Sequence, residues 1–314
     1  MNKYIAIDVG GSKMLGAQYD EEGQVLKRYK VKTKAHRGRK PVFETLLSVI
    51  DQLFDPDVVA MGILMPGVIQ NARRVEMCSN IPFEKMDLAE LIEEKYPVPV
   101  LLGNDVDLAV LGEWKQGGYT EQHVVGIFVG TGVGGGFIFH GQLYTGQGGA
   151  AEIGHMPYKR DGLLCGCGQF GCLETVAAKS GMLQLIEKER KKGTESILFD
   201  TLIPGEMFHT TDLYRAWQKG DPLARKVISK SVEALGYAVG TLNTLLRPEL
   251  FIFGGGVMES FYDEICEELH EKALAHTMPA LRDNVRFIRS FLGDDAGITG
   301  AYYLAKEASL GRRL

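Results

Sequence analysis

The sequence predicts an α/β fold of two domains, and three observations carry that expectation. The chain has 314 residues, and about 150 residues per domain gives two. Short β-rich runs alternate with stretches of helical periodicity along most of its length. A strand–glycine turn–strand unit opens the chain and returns in residues 124–139 (VVGIFVGTGVGGGFIF). Sliding the sequence by 120 residues pairs Ile7 with Ile127, Val9 with Val129, Gly10 with Gly130 and Gly16 with Gly136. The repeat suggests a duplicated unit.

The elements follow in order. Tyr4–Val9 is a short apolar strand, Gly10-Gly11 turns, and Met14–Tyr19 is a second strand. Asp20–Gly23 is a turn, and Val25–Val31 alternates as a third strand. Pro41 opens a helix with Val42, Phe43, Leu46, Leu47, Ile50, Leu53 and Phe54 on one face. Val58–Met65 is a buried strand. Asp87 with Glu90 is spaced as a capping box for a helix through Tyr96. Val98–Leu102 is another strand, followed by a helix over Val106–Trp114. In the second half, helices start at Glu174 and again at Asp221-Pro222, an N-cap with proline at N1. The latter runs to Leu246, where Pro248 stops it. Leu250–Phe253 is a buried strand, and Gly297–Ala308 a closing helix.

Composition narrows the function classes. Hydrophobic residues at 45% and charged residues at 24% exclude bulk disorder. A net charge of −5 argues against an electrostatic footprint for nucleic acid. Only four apolar residues, Tyr4–Ile7, precede Asp8 as a run, without a signal-peptide pattern, so no secretory leader is expected. The longest uncharged apolar stretch, Val124–Phe139, falls short of the ~18 residues of a membrane span and carries six glycines. Five cysteines, three of them within eight residues, point to a reduced, cytoplasmic protein with a metal-binding cluster rather than a disulfide scaffold.

The anomaly is glycine. There are 39, well above an average share of ~7%, and fourteen lie between Gly130 and Gly171. Others form Gly10-Gly11 and Gly254-Gly255-Gly256, each directly after a β-rich run. Glycine lets the backbone approach a ligand without a Cβ in the way. The clusters therefore suggest turns around a bulky anion; tight hairpins are the plainer alternative. His155-x₉-Cys165-x-Cys167-x₄-Cys172 supplies one imidazole and three thiols, the makings of a tetrahedral zinc site. Free thiols in a loop are the alternative there.

Asp8-Val9-Gly10-Gly11-Ser12-Lys13, Gly130-Thr131-Gly132-Val133-Gly134-Gly135-Gly136 and Gly254-Gly255-Gly256 resemble the two phosphate loops and the adenosine loop of the actin–hexokinase–Hsp70 superfamily. Glu152-Ile153-Gly154-His155 and Cys165-Gly166-Cys167-Gly168-Gln169-Phe170-Gly171-Cys172-Leu173-Glu174 resemble the signature of the ROK family of repressors and sugar kinases. The resemblance runs from residue 4 to about residue 305, with the motifs in family order. It implies a two-domain ribonuclease-H-like (actin-like ATPase) fold with a duplicated βββαβαβα core and an interdomain cleft. The small domain would span 1–114 and regain 297–314; the large domain, with the zinc loop, would span 115–296.

The same resemblance implies roles. Asp8 would help hold Mg²⁺, with ATP bound at Gly10, Gly11, Ser12, Lys13, Gly130, Thr131, Gly132, Gly134, Gly254, Gly255 and Gly256. Asp105 would be the general base that takes a sugar hydroxyl's proton. Asn80, Asn104, Glu152, His155 and Glu174 would contact the sugar with it, and His155, Cys165, Cys167 and Cys172 would bind structural Zn²⁺. Without the family, Asn104-Asp105 is simply a helix cap, Asn80 a turn residue and Glu174 a carboxylate at a helix start. Ser12 stands where the family more often has threonine, and Asp107 where it has asparagine. The basic stretch Lys30–Lys40 (KVKTKAHRGRK) reads as a solvated connection, with phosphate steering or polyphosphate binding as the sharper alternative.

The expected reaction is ATP plus glucose giving ADP and glucose 6-phosphate, by a cytoplasmic homodimer without nucleic-acid or membrane partners. The stretch before Asp221 is more similar to glucokinases than to fructokinases. An N-acetylmannosamine or N-acetylglucosamine kinase is the nearest rival. A sugar-responsive ROK repressor is disfavoured, because only seven residues precede Asp8 and no helix-turn-helix fits there.

Overall fold

Alternating apolar residues closed by glycine pairs make the first two strands antiparallel, and a parallel sheet then grows on the far side of the first. In the computed structural model, which describes residues 1–78, 80–203 and 206–311, β1 (Lys3–Val9), β2 (Lys13–Tyr19) and β3 (Val25–Lys32) form a meander. The helix α1 (Arg39–Leu53) crosses to β4 (Val58–Met65), which lies parallel to β1. A small hairpin, β5 (Val68–Gln70) and β6 (Arg74–Met77), and α2 (Leu88–Glu93) precede β7 (Val100–Asn104), which is parallel to β4. The order is β3-β2-β1-β4-β7. Then comes α3 (Asp105–Gln116).

The second half repeats this plan. Its strands are β8 (Val124–Val129), β9 (Val133–Phe139) and β10 (Gln142–Tyr144). After α4 (Glu174–Ala177), α5 (Lys179–Lys191), α6 (Thr210–Gln218) and α7 (Pro222–Leu246) come β11 (Leu250–Gly254), α8 (Gly256–His276), β12 (Phe287–Arg289) and α9 (Ala296–Ser309). The sheet order is β10-β9-β8-β11-β12, the first order with each strand replaced by its counterpart. The duplication suggested by four identities is present in the topology.

Several expected details shift. Asp87 sits before α2 but makes no capping bond; its carboxylate is taken by the Arg74 guanidinium, a stronger partner than a backbone N–H. The helices α6 and α8, the hairpin β5–β6 and the short strands β10 and β12 were not anticipated. In α8 the glycine triplet at its start reads locally as turn, although the next twenty residues are helical.

The chain divides into two compact units, Met1–Gln122 with Gly136–Ala151 and Asp294–Leu314, and His123–Gly135 with Glu152–Gly293. The first unit thus takes in Gly136–Ala151, a segment that begins within β9. Close packing explains that segment: a Cβ on Gly136 would touch Val110 and Asp107 of α3, and one on Gly148 would lie 2.4 Å from the Ile69 carbonyl oxygen.

In the first unit, Ile5, Ile7 and Val9 face the core shared with Val42, Leu46, Val49, Ile50 and Leu53 of α1. Strand alternation turns Tyr4, Ala6 and Asp8 to the opposite face, where Tyr4 meets Tyr302 of α9 edge-on at 5.7 Å between ring centroids. Here α9 lies against backbone. An ideal Cβ would fall 1.9 Å from the Ala301 oxygen at Gly62, 2.3 Å from the Ala296 oxygen at Gly112, and 1.7 Å from the Leu108 oxygen at Gly300. Only hydrogen fits at these places. Gly300→Ala is expected to lower unfolding stability by about 3 kcal/mol, read as a lower urea midpoint; an unchanged midpoint would show that α3 and α9 tolerate separation.

Candidate functional site

The close seat of α9 on α3 and β4 brings two helix starts beside the end of β1. Asp105 is the first residue of α3, and Asp294 and Asp295 precede α9. An ideal Cβ on Gly297 would lie 3.8 Å from the Asp105 backbone oxygen. The charges of both Asp105 and Asp294 act on Asp8. Burial, then the charge of Asp105, pushes its carboxyl up to about 6, with Lys13 pulling the other way. Burial also raises Asp105, against the hydrogen bond its carboxylate takes from the Val106 N–H (3.0 Å). Sequence reasoning missed Asp294, since nothing in a Gly-Asp-Asp turn 286 residues from Asp8 marks it as a neighbour.

Asn104 is the N-cap of α3. Its Oδ1 accepts from the N–H groups of Val106 (2.8 Å) and Asp107 (3.2 Å), and its Nδ2 donates to the Gly67 carbonyl (3.0 Å). The plain helix-cap reading is therefore realised, and among the described residues the second Nδ2 hydrogen has no partner. Gly67 itself has φ 116° and no room for a Cβ, which would lie 2.1 Å from the Met77 oxygen.

The first glycine turn closes with Gly10 N–H donating to the Lys13 carbonyl (3.0 Å). Gly11 lies against Asn80, which is exposed: a Cβ there would be 3.1 Å from the Asn80 oxygen. Ser12 and Lys13 are exposed. Thr33, which is buried, donates its hydroxyl to the Gly10 carbonyl (2.5 Å), and its N–H donates to the Ser12 carbonyl (3.0 Å). Sequence reading passed over Thr33 because it stands among lysines.

In the second unit, the Gly130 N–H donates to the Gly132 carbonyl (2.9 Å). The Gly130 and Thr131 carbonyls accept from Lys179 and Ser180 at the start of α5 (3.0 and 3.2 Å). Glu174 Oε2 accepts from the Val133 N–H (3.0 Å) and leaves no space for a side chain at Gly132. Gly134 continues the turn as the second residue of β9. Gly254 ends β11 beneath the Phe128 ring, and Gly255 (φ 83°) packs on the backbone of Val129. Gly256 then starts α8, so the triplet offers a helix N-terminus next to the second glycine turn.

The cysteine cluster lies in the same unit. The ligand atoms of His155, Cys165, Cys167 and Cys172 all lie within 4.8 Å of one another. Cys165 Sγ is 3.6 Å from His155 Nδ1, and Cys167 Sγ is 3.6 Å from Cys172 Sγ. Thiolates bound to zinc at ~2.3 Å stand ~3.8 Å apart at tetrahedral corners, so the donor set fits such a metal. The Cys165–Gln169 turn, with Cys165 N–H on the Gln169 carbonyl (2.8 Å), presents two of the sulfurs. Burial pushes the Cys172 thiol up to about 12, helped by its two thiol neighbours, and burial raises Cys165. The Gln169 backbone N–H lowers Cys167. A cation among the three would favour all three thiolates. The far nitrogen of His155, Nε2, lies 3.9 Å from Glu152 Oε2, and Cys165 Sγ lies 3.7 Å from Glu174 Oε1.

Known proteins corroborate the fold and the family. A sequence model of the ROK family matches residues 4–308. The chain is similar to a glucokinase of Thermotoga maritima, with 32% identity over 97% of this chain and 98% of that one. It is also similar to a DNA-binding transcriptional dual regulator of Escherichia coli, at 28% identity over 87% of this chain and 68% of the regulator. The structure of a Streptomyces griseus ROK glucokinase in complex with glucose and AMPPNP superposes with a TM-score of 0.79 and 29% identity, over 98% of this chain and all of that one. The fold is thus the actin-like ATPase fold of these glucokinases.

The raised Asp8 carboxyl has a thermodynamic consequence. Its pKa is higher folded than the ordinary 3.8, so the native state holds the proton longer than the unfolded chain, and stability falls as pH rises from about 4 to about 6. Asp8→Asn removes the charge and keeps the shape. At pH 7.5 it should be more stable than the parent by about 2 kcal/mol, with no gain near pH 4, as read by urea denaturation at both pH values. An equal effect at both would rule out the buried charge as its cause.

Proposed function

This chain belongs to the ROK family, and we propose that it is an ATP-dependent glucose kinase producing glucose 6-phosphate. The observation that carries the reading is Asp105, a partly buried carboxylate at the start of α3 with its acidity weakened by burial, in a chain similar along nearly its whole length to a glucokinase. Phosphoryl transfer needs the acceptor hydroxyl aligned and its proton removed. A carboxylate raised toward neutrality suits that work. Asp105 holds the hydroxyl through its carboxylate, which also accepts from the Val106 N–H, and takes the proton as the new O–P bond forms and the bond from the γ-phosphorus to ADP breaks.

Asn80, Asn104, Glu152, His155 and Glu174 complete the proposed sugar contacts, with Asn104 as hydrogen-bond donor and the glutamates as acceptors. The N–H groups of Gly10, Gly11, Ser12, Lys13, Gly130, Thr131, Gly132 and Gly134 are the proposed phosphate ligands, since successive N–H groups in such turns form anion nests. Gly254, Gly255 and Gly256 take the nucleoside side. Asp8 is suited to hold Mg²⁺ carried by ATP, which neutralises phosphate charge. Zinc held by His155, Cys165, Cys167 and Cys172 would cross-link the loop that carries Glu152 and Glu174. His155 then keeps Nδ1 for the metal and turns Nε2 outward beside Glu152. The five cysteines are unpaired, which suits the cytoplasm we assign; a homodimer is the assembly we assign.

Purified protein with Mg·ATP should phosphorylate glucose in preference to mannose, fructose, N-acetylglucosamine and N-acetylmannosamine. Preference for an N-acetylhexosamine would replace the substrate, and turnover of none would shift the reading to a regulator. Asp105→Asn should lower kcat by about 10³-fold or more while glucose binding, followed by calorimetry, changes little. Metal analysis should find one zinc per chain, lost in Cys172→Ser together with sugar affinity; metal-free protein that binds glucose normally would refute the bracing role.

A further inference from the structure

The basic stretch that the kinase reading leaves unused is built onto the first glycine turn. Eight Lys or Arg residues lie between Lys27 and Lys40, and no carboxylate occurs from Gly23 to Phe43, in a chain whose net charge is −5. Three of the eight are engaged. Lys27 donates to the Gln52 carbonyl, Arg28 pairs with Asp295 (3.1 Å), and Arg39 donates to the Pro82 and Glu84 carbonyls (3.1 and 2.7 Å). Among the described residues, Lys30, Lys32, Lys34, Arg37 and Lys40 have no side-chain partner.

Three of those five lie together at the end of β3 and the turn that follows it. Lys32, Lys34 and Arg37 line a cavity of about 410 Å³ together with Thr33 and Thr45, and no carboxylate lines it. The size is within the usual range for small-ligand sites. Lys34, in the left-handed conformation (φ 54°), turns the chain at this point. The floor is Thr33, whose hydroxyl and N–H bind the Gly10 and Ser12 carbonyls.

The register adds an independent sign. Lys32 on β3 stands directly opposite Lys13 on β2, so two ammonium-bearing side chains share one face as cross-strand neighbours, an arrangement that is destabilising by itself. Lys13 is also the cation whose charge acts on Asp8. An anion spanning from the pocket to the turn would relieve this repulsion. A single phosphate would meet one end only; a condensed phosphate chain would meet both.

We propose that this pocket captures the triphosphate of the phosphoryl donor and delivers it to the first glycine turn. The proposal rests on the kinase reading for the identity of the donor, though the anion site can be measured without turnover. A localised cationic surface on an acidic protein raises the local concentration and encounter rate of an anion by ten-fold or more at low salt. Screening at high salt removes the advantage.

The test is the triple variant Lys32→Gln/Lys34→Gln/Arg37→Gln beside a control, Lys159→Gln/Lys188→Gln/Lys230→Gln, with the same change in net charge in the other unit. With the intact protein, calorimetry should detect binding of inorganic tripolyphosphate at 20 mM salt, weakened about ten-fold in the pocket variant and not in the control. In turnover, kcat/KM for ATP should fall about ten-fold at 20 mM salt, with the difference closing by 0.5 M, while kcat and the KM for glucose hold. Equal effects in the control, or an unchanged salt slope in the pocket variant, would overturn the proposal. Lost tripolyphosphate binding with unchanged ATP kinetics would also overturn it, assigning the pocket to an inorganic anion. Inactivity toward every sugar would defeat the kinase reading and leave the calorimetric result standing.

Discussion

The first unit depends on a contact between backbones. Gly62, Gly112 and Gly300 let α9 lie on β4 and α3 with carbonyl oxygens where side chains would otherwise stand. That spacing aligns the starts of α3 and α9 next to the end of β1, and so collects Asp8, Asp105 and Asp294 around one place. Like charges so gathered and partly buried cost stability. Two helix N-termini nearby offset some of that cost, and the remainder shows in the raised Asp8 carboxyl.

The second unit reaches an equivalent end by other means. Beside β8, a glutamate from α4 binds the Val133 N–H of the glycine turn. Glu174 follows two residues after Cys172, so the cysteine loop and the turn are held by the same short segment. The parallel topology of the two sheets did not oblige parallel chemistry. Duplication supplied two anion-friendly turns, and each acquired its own support.

Most of the frame was legible because its signals are local. Glycine pairs after apolar runs gave the meanders, and Asp221-Pro222 gave the start of α7, where Asp221 accepts from the Ala224 N–H as an N-cap should. The cysteine cluster was legible as well, since its four donors span only eighteen positions. Asp294 and Thr33 were not, because each matters through a neighbour far along the chain. Asp87 misled, because a guanidinium brought in by β6 outbid the backbone for its carboxylate. The helix α8 was missed where a ligand-shaped glycine turn and a helix start are the same residues.

Asn104 shows how little freedom such a site retains. Its oxygen is fixed by two N–H groups and one of its amide hydrogens by Gly67, which settles the orientation of the amide and leaves a single donor. Any hydroxyl that meets that donor must receive it on a lone pair, and so has its own hydrogen to give elsewhere. The next residue in the chain is the carboxylate of Asp105. For the sugar contact proposed above, the polarity of the hydrogen-bond chain, and with it the direction in which a proton would leave, would therefore be set by the cap of one helix.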